Sequence, residues 1–135
     1  MSAYNDGIIA EFRANGGKVG GHWEGRNLLL LTTTGRRSGR RYTTPVAYTP
    51  DGDRLLVYAS QGGSPDHPDW FKNLVADPNV TVEAGTETYD AVATPVEGAE
   101  RDRLYAEQVE RLPAFGEYAE KAAPRVIPVV ALTRR

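Results

Sequence analysis

Apolar positions along this chain repeat in two rhythms. Four leucines, Leu28 to Leu31, run into Thr32, Thr33 and Thr34. After seven residues that include two glycines, a second β-rich run begins at Tyr42. Two such runs joined by a short glycine-containing stretch predict a β-hairpin. The same reading places strands at 28–34, 42–49, 54–60, 80–84, 88–95 and 126–132. Pro50-Asp51-Gly52-Asp53 turns the second into the third, and Gly85-Thr86 turns the fourth into the fifth. Helical spacing marks 4–15, where Ile8, Ile9 and Phe12 share a face before Asn15-Gly16-Gly17. It recurs at 68–76, opening on Pro68, and at 100–112, through Leu104, Tyr105, Gln108, Val109 and Leu112. Pro113 breaks that helix, and 114–123 continues as another. Residues 18–27 read as a glycine-rich loop.

The order helix, three strands, helix, two strands, helices, strand predicts an α+β fold. Its sheet is mostly antiparallel, its helices are peripheral, and six strands in so short a chain curl most naturally into a small barrel. No repeat or linker interrupts it, so residues 1–135 are expected to form a single domain.

Charge changes this picture locally. The chain carries a formal net charge of −2, yet Arg36, Arg37, Arg40 and Arg41 crowd into one hairpin connection. Four guanidiniums this close repel one another unless an anion joins them. Arginine forks and turn amides match phosphate and carboxylate geometry. Gly35 and Gly39 bracket this loop, with Thr32, Thr33, Thr34, Ser38, Thr43 and Thr44 beside it. The bland alternative is a solvated turn. An acidic sequence pI of about 5.7 argues against a dedicated nucleic-acid binder. Cysteine is absent, which excludes disulfides, thiolate metal sites and a cysteine nucleophile and fits a reducing cytoplasm. No apolar run reaches spanning length, and the start lacks the pattern of a signal peptide, so a soluble cytoplasmic protein is expected.

Three further stretches carry candidate chemistry. At Ser60-Gln61-Gly62-Gly63 a strand ends in a glycine pair, either an ordinary strand-end loop or a cradle for a flat ligand. Around His67, Asp69, Trp70, Phe71 and Leu74, a helix face for docking on the sheet accounts for the aromatics. No ligand pair at metal spacing exists, since the other histidine is the distant His22, so no metal is expected and His67 reads as a loop or cap residue. Leu112 to Tyr118 places aromatics at helical spacing, more often core than site. No nucleophile elbow, dinucleotide fingerprint or P-loop appears. An enzyme built this way needs a bound cofactor for its chemistry.

Taken together in order and spacing, these motifs resemble the deazaflavin-dependent nitroreductase family. The resemblance runs through I-I-A-E-F-R-A-N-G-G-K-V-G-G (Ile8 to Gly21), L-L-L-T-T-T-G-R-R-S-G-R, A-S-Q-G-G, H-P-D-W-F-K-N-L and R-V-I-P-V-V-A-L. It implies a split β-barrel like that of flavin-binding pyridoxamine-phosphate oxidases, and use of coenzyme F-420. By that resemblance Arg36, Arg37, Ser38, Gly39 and Arg40 hold the cofactor's phosphate and polyglutamate tail, and Lys18 adds charge there. Ser60, Gln61, Gly62 and Gly63 line the deazaflavin ring, and Trp70 and Asn73 close the pocket. Tyr118 or Ser60 orients a quinone, enone or nitro acceptor or relays its proton. Relatives carry tyrosines where this chain has Leu112 and Phe115, and many carry lysine in place of Gln61, which weighs against nitroimidazole reduction but not against cofactor binding. An FMN-dependent barrel and a non-catalytic F-420 carrier remain as alternatives. Monomer or homodimer, and membrane contact through the first helix, stay open.

Overall fold

The four leucines form a strand because both of its faces are covered. The computed structural model describes the backbone of residues 3–21 and 25–135, with side chains from Asn5 onward. In β1 (Leu28–Thr34), Leu29 and Leu31 turn into one apolar cluster, while Leu28 and Leu30 meet Ile8, Ile9 and Phe12 of α1 (Ala3–Ala14). A strand buried on both faces reads as a continuous apolar run rather than an alternation. The apolar face of α1 is therefore occupied by the barrel, which removes the basis for membrane contact through it. Among the described residues no helix is long and apolar enough to cross a membrane.

The hairpin predicted across the arginines is present. β2 (Arg41–Asp51) pairs with β1 from Leu28↔Ala47 to Thr34↔Arg41. Then follow β3 (Arg54–Tyr58), α2 (Asp69–Ala76), β4 (Asn79–Ala84), β5 (Glu87–Val96), α3 (Gly98–Arg111), α4 (Ala114–Ala122) and β6 (Val129–Arg134). All six strand pairings are antiparallel, and they close a barrel in the order β1-β2-β3-β6-β5-β4. Val57, Val82, Val130 and Leu132 join Leu29 and Leu31 in its interior. The outward faces of β3 and β6 meet α3 and α4 through Leu56, Tyr58, Val129, Leu104, Tyr105 and Ala122.

Two departures from the expected elements have physical causes. The last strand was expected at 126–132 but starts at Val129. Pro128 has no N–H to give a ladder, and the carbonyl of Ile127 is taken by the Arg101 guanidinium at 2.7 and 3.1 Å. Pro68, expected inside the first turn of α2, caps it instead, with its carbonyl accepting from the amides of Phe71 and Lys72.

One asymmetry positions the site. The β2–β3 ladder covers only Tyr48↔Val57 to Asp51↔Arg54. The first half of β2, held by β1, has no β3 partner, so the barrel is split there. Residues 59–68 leave the sheet at that split and lead into α2, which packs on β1.

Candidate functional site: an arginine-lined cleft beside the split

The hairpin loop is closed by its own backbone. Gly35 N–H donates to Arg40 O at 2.7 Å and Gly39 N–H to Gly35 O at 3.0 Å. A side chain at Gly35 would meet the Tyr42 ring at 2.6 Å and Ser38 Oγ at 2.8 Å, so this glycine serves the loop's own closure. Gly39 holds φ +72°, the left-handed region that glycine reaches without penalty.

Asn73 fixes the loop to α2. It is 4% exposed, and its side-chain oxygen accepts from Arg36 N at 3.2 Å and Arg36 Nη1 at 2.9 Å. Its amide donates to Thr33 Oγ1, itself fully buried, at 3.2 Å. Arg36 Nη2 also reaches Asp69 Oδ1 at 3.3 Å. Arg41 is bound to hydroxyls, Thr34 Oγ1 at 2.8 Å and Thr81 Oγ1 at 2.7 Å. Arg37 and Arg40 are exposed and have no ion-pair partner among the described residues. Four guanidiniums thus face a single paired carboxylate, Asp69.

A cleft of about 510 Å³ opens beside this loop. Thr33, Gly35, Arg36, Arg37, Ser38, Tyr42 and Thr44 line it from the hairpin, Asp69, Trp70 and Asn73 from α2, and Asn5 from α1. Five of the residues expected to bind cofactor therefore line one cleft: Arg36, Arg37 and Ser38 from the hairpin, Trp70 and Asn73 from α2. Gly39 and Arg40 lie on the same loop outside that lining. Lys18 does not join them. It follows Gly17, which abuts Gly85 of the β4–β5 turn at the opposite end of β1, about 20 Å away at the usual strand rise.

Ser60, Gln61, Gly62 and Gly63 form a second group, at the other end of the connection that feeds Asp69 and Trp70 into the cleft. Gln61, Gly62 and Gly63 hold φ of 47°, 62° and 86° in succession. A side chain at Gly63 would strike Lys121 Cβ at 2.9 Å and Tyr118 O at 3.0 Å, so this glycine lets the loop press against α4. The Tyr118 ring packs edge-on to Phe115 at 5.3 Å, and Phe115 to Tyr58 at 5.6 Å. Tyr118 thus stands beside the Ser60 loop, while Phe115 belongs to the packing under α4.

Sequence reasoning missed Arg125. Its guanidinium donates to the carbonyls of Ala59 (3.0 Å), Ser60 (2.8 Å) and Ser64 (2.9 Å) and contacts His67 Nδ1 at 3.0 Å. Partners 58 to 66 residues away leave no local signal. Burial, with help from the Arg125 and Lys72 charges, holds the His67 pKa below its ordinary 6.5. A neutral ring can accept the Arg125 hydrogen at Nδ1. Thr33, read only as one of the hydroxyls beside the loop, continues the inward alternation of Leu29 and Leu31 as a buried polar residue and holds Asn73.

Comparison with known proteins agrees with this geometry. Residues 8–134 match the family model described as F420H(2)-dependent quinone reductase. An F420H(2)-dependent quinone reductase of Mycobacterium tuberculosis (strain ATCC 25618 / H37Rv) is 36% identical over 129 residues, spanning 93% of this chain and 87% of that protein. Among solved structures, an F420-H2 dependent reductase (FDR-A) superposes with a TM-score of 0.70 at 36% identity, covering 79% of this chain and 94% of that one. A chain described as a domain-swapped dimer superposes at 0.72 with 33% identity, covering 94% of both.

Proposed function

Because the chain belongs to the F420H(2)-dependent quinone reductase family, we propose that residues 1–135 act as one split-barrel domain that holds reduced F-420 and passes its hydride to a quinone-type acceptor. The observation that carries this reading is the pairing of an open cleft with two guanidiniums, Arg37 and Arg40, that no carboxylate of the described chain neutralises. That donor set fits a phosphate followed by several carboxylates. FMN, with one phosphate and no polyanionic tail, uses less of it, and the family description gives FMN no support.

In this reading Arg36, Arg37, Ser38, Gly39 and Arg40 take the phosphate and tail by charge-assisted hydrogen bonds. Asn73 holds Arg36 in place, and Trp70 gives the cleft a flat apolar wall. Ser60, Gln61, Gly62 and Gly63 line the ring, with the Ser60 and Gln61 amides offered to it while the Gly63 amide stays bonded to Ser60 O. When bound, reduced F-420 supplies a hydride, and a quinone that takes it up with a proton leaves as a hydroquinone. The chain's task is to bring donor and acceptor together and keep water away. The role of hydrogen-bonding an acceptor oxygen as it gains charge, and of handing it a proton, is assigned to Tyr118, supported by its backbone lying against Gly63, with Ser60 as the other hydroxyl. The absence of cysteine fits work in a reducing cytoplasm.

The test is a titration of the purified protein with F-420 and with FMN, followed by anaerobic oxidation of the reduced cofactor by a panel of quinones. F-420 should bind more tightly, its affinity should fall as salt rises, and at least one quinone should be reduced. FMN binding that is equal or tighter and indifferent to salt would reject the assignment.

A further inference from the structure

We propose that Arg125 is a positioning residue for hydride transfer, one that locks the 59–67 loop and strengthens the Ser60 and Gln61 amides as hydrogen-bond donors to the cofactor ring. The proposal rests on the F-420 reading above and assigns a role within it to a residue outside the cleft.

Three observations converge. First, apart from its packing on α4 and the bond from Ala59 N–H to Pro128 O at 3.0 Å, the loop takes its long-range hydrogen bonds from Arg125. Its own bonds are short-range: Gly63 N–H to Ser60 O at 2.9 Å, Ser64 N–H to Gln61 O at 3.1 Å, Asp66 N–H to Ser64 Oγ at 3.2 Å, and Gln61 Nε2 to Asp66 O at 3.4 Å. Its backbone nevertheless holds three successive left-handed residues, one of them the non-glycine Gln61 at φ 47°. The glycines reach the left-handed region freely, but at Gln61 such a conformation persists only where the surroundings impose it. Arg125 supplies that constraint by tying both arms of the loop, Ala59 and Ser60 on one side and Ser64 and His67 on the other, to one planar group.

Second, the carbonyls it binds belong to particular peptide units. The carbonyl of Ala59 shares its peptide with the N–H of Ser60, and that of Ser60 with the N–H of Gln61. A cation hydrogen-bonded to the oxygen of a peptide draws electron density from its nitrogen, and chained hydrogen bonds strengthen one another. Both N–H groups lack an acceptor among the described residues, whereas the neighbouring amides of Ala59, Gly63 and Ser64 are satisfied internally. Ser60 sits at φ −73° and ψ −39°, right-handed, directly before left-handed Gln61. That succession gathers consecutive N–H groups into a concavity suited to an anionic or carbonyl oxygen.

Third, Arg125 forms no ion pair among the described residues: Asp66 acts on it only at longer range, and its guanidinium contacts are three carbonyls and an imidazole nitrogen. Its charge therefore acts through the two peptide units rather than through a salt bridge.

The experiment compares the parent with Arg125→Lys and Ser60→Pro. Lysine keeps the charge but cannot bridge three carbonyls at once. Proline accepts the φ of position 60 and deletes its N–H while keeping the carbonyl that Arg125 binds, and Ser60→Ala is the control for the hydroxyl lost with it. Each variant is checked for folding by thermal melt, then titrated with F-420, and the bound cofactor's absorption maximum and reduction potential are recorded. With the tail still held by the hairpin arginines, F-420 affinity in Arg125→Lys should stay within about threefold of the parent. Turnover with a quinone should fall at least tenfold with little change in acceptor KM, and the absorption maximum and potential of bound cofactor should move. Ser60→Pro should move them in the same direction. A purely structural role for Arg125 would lower the melting temperature without moving the potential of the cofactor that still binds. A folded Arg125→Lys with parental turnover and potential overturns the proposal. If that variant does not fold, Ser60→Pro decides: a shifted potential supports the proposal and a parental one overturns it. A parent that binds no F-420 overturns the cofactor reading itself, and this proposal with it.

Discussion

At the scale of residues, the arginines of the hairpin are not equivalent. The Arg36 side chain is bonded to Asn73 and Asp69, so its removal takes away two of the loop's bonds to α2 as well as one charge, leaving the backbone N–H bond to Asn73. Arg37 and Arg40 are exposed and have no ion-pair partner among the described residues, and exposed substitutions of that kind shift stability by within about 0.5 kcal/mol. Arg37→Ala and Arg40→Ala should therefore keep the parental melting temperature. Each should lose about 1.5–3 kcal/mol of F-420 binding, roughly tenfold or more in affinity. Arg36→Ala should lower both affinity and melting temperature. Parental affinity in all three would make the loop a solvated turn. Tyr118→Phe probes the other group. A hydrogen bond made mainly as charge develops on the acceptor should reduce turnover while leaving F-420 affinity almost unchanged. Parental turnover removes this phenol from the reaction. The arginine cluster was legible in the sequence because it is contiguous, and its physics, repulsion without an anion, is local. Arg125 was illegible because its meaning lies in carbonyls 61 to 66 residues away along the chain.

At the scale of elements, the hairpin, the helices and the meander could be read from periodicity, while their ends were set by tertiary partners. Pro128 and Arg101 delayed β6, and Pro68 became a cap, because in each case a backbone group had another partner to satisfy. The 59–68 connection was readable only as a glycine-bearing loop, since the groups that contact it, Arg125 and α4, lie far along the chain. It also carries a pH dependence. The His67 pKa is lowered in the folded state, first by burial and then by Arg125 and Lys72. The unfolded chain therefore takes up this proton at a higher pH than the native one does. The stabilisation from neutral His67 is complete above 6.5, its ordinary value, and declines as pH falls from there toward the lower native pKa. The melting temperature should drop between pH 7.5 and 5.5, and His67→Gln should flatten that drop. An unchanged slope in the variant would show that the loop does not sense this proton.

At the scale of the whole molecule, the barrel was predictable from six short strands, but its split was not. The split depends on where the β2–β3 ladder stops, and no residue in 42–49 announces that Tyr48 is its limit. The cleft is a product of this arrangement, because the connection that escapes at the split carries Asp69, Trp70 and Asn73 over the end of β1.

The closure itself has a consequence for how the protein comes into being. The order β1-β2-β3-β6-β5-β4 seats the sixth strand between two that are made well before it. During synthesis β3 and β5 therefore wait with bare edges while α3, α4 and the residues leading to Val129 are still being added. An unpaired strand edge is a template for the wrong neighbour. A chain stopped at residue 127 contains every member of the arginine cleft yet lacks the strand that seals the cylinder. When expressed, it should accumulate as aggregate, and supplying residues 128–135 as a separate peptide during refolding should return some of it to solution. A soluble, monomeric truncation that melts cooperatively would mean that five strands suffice.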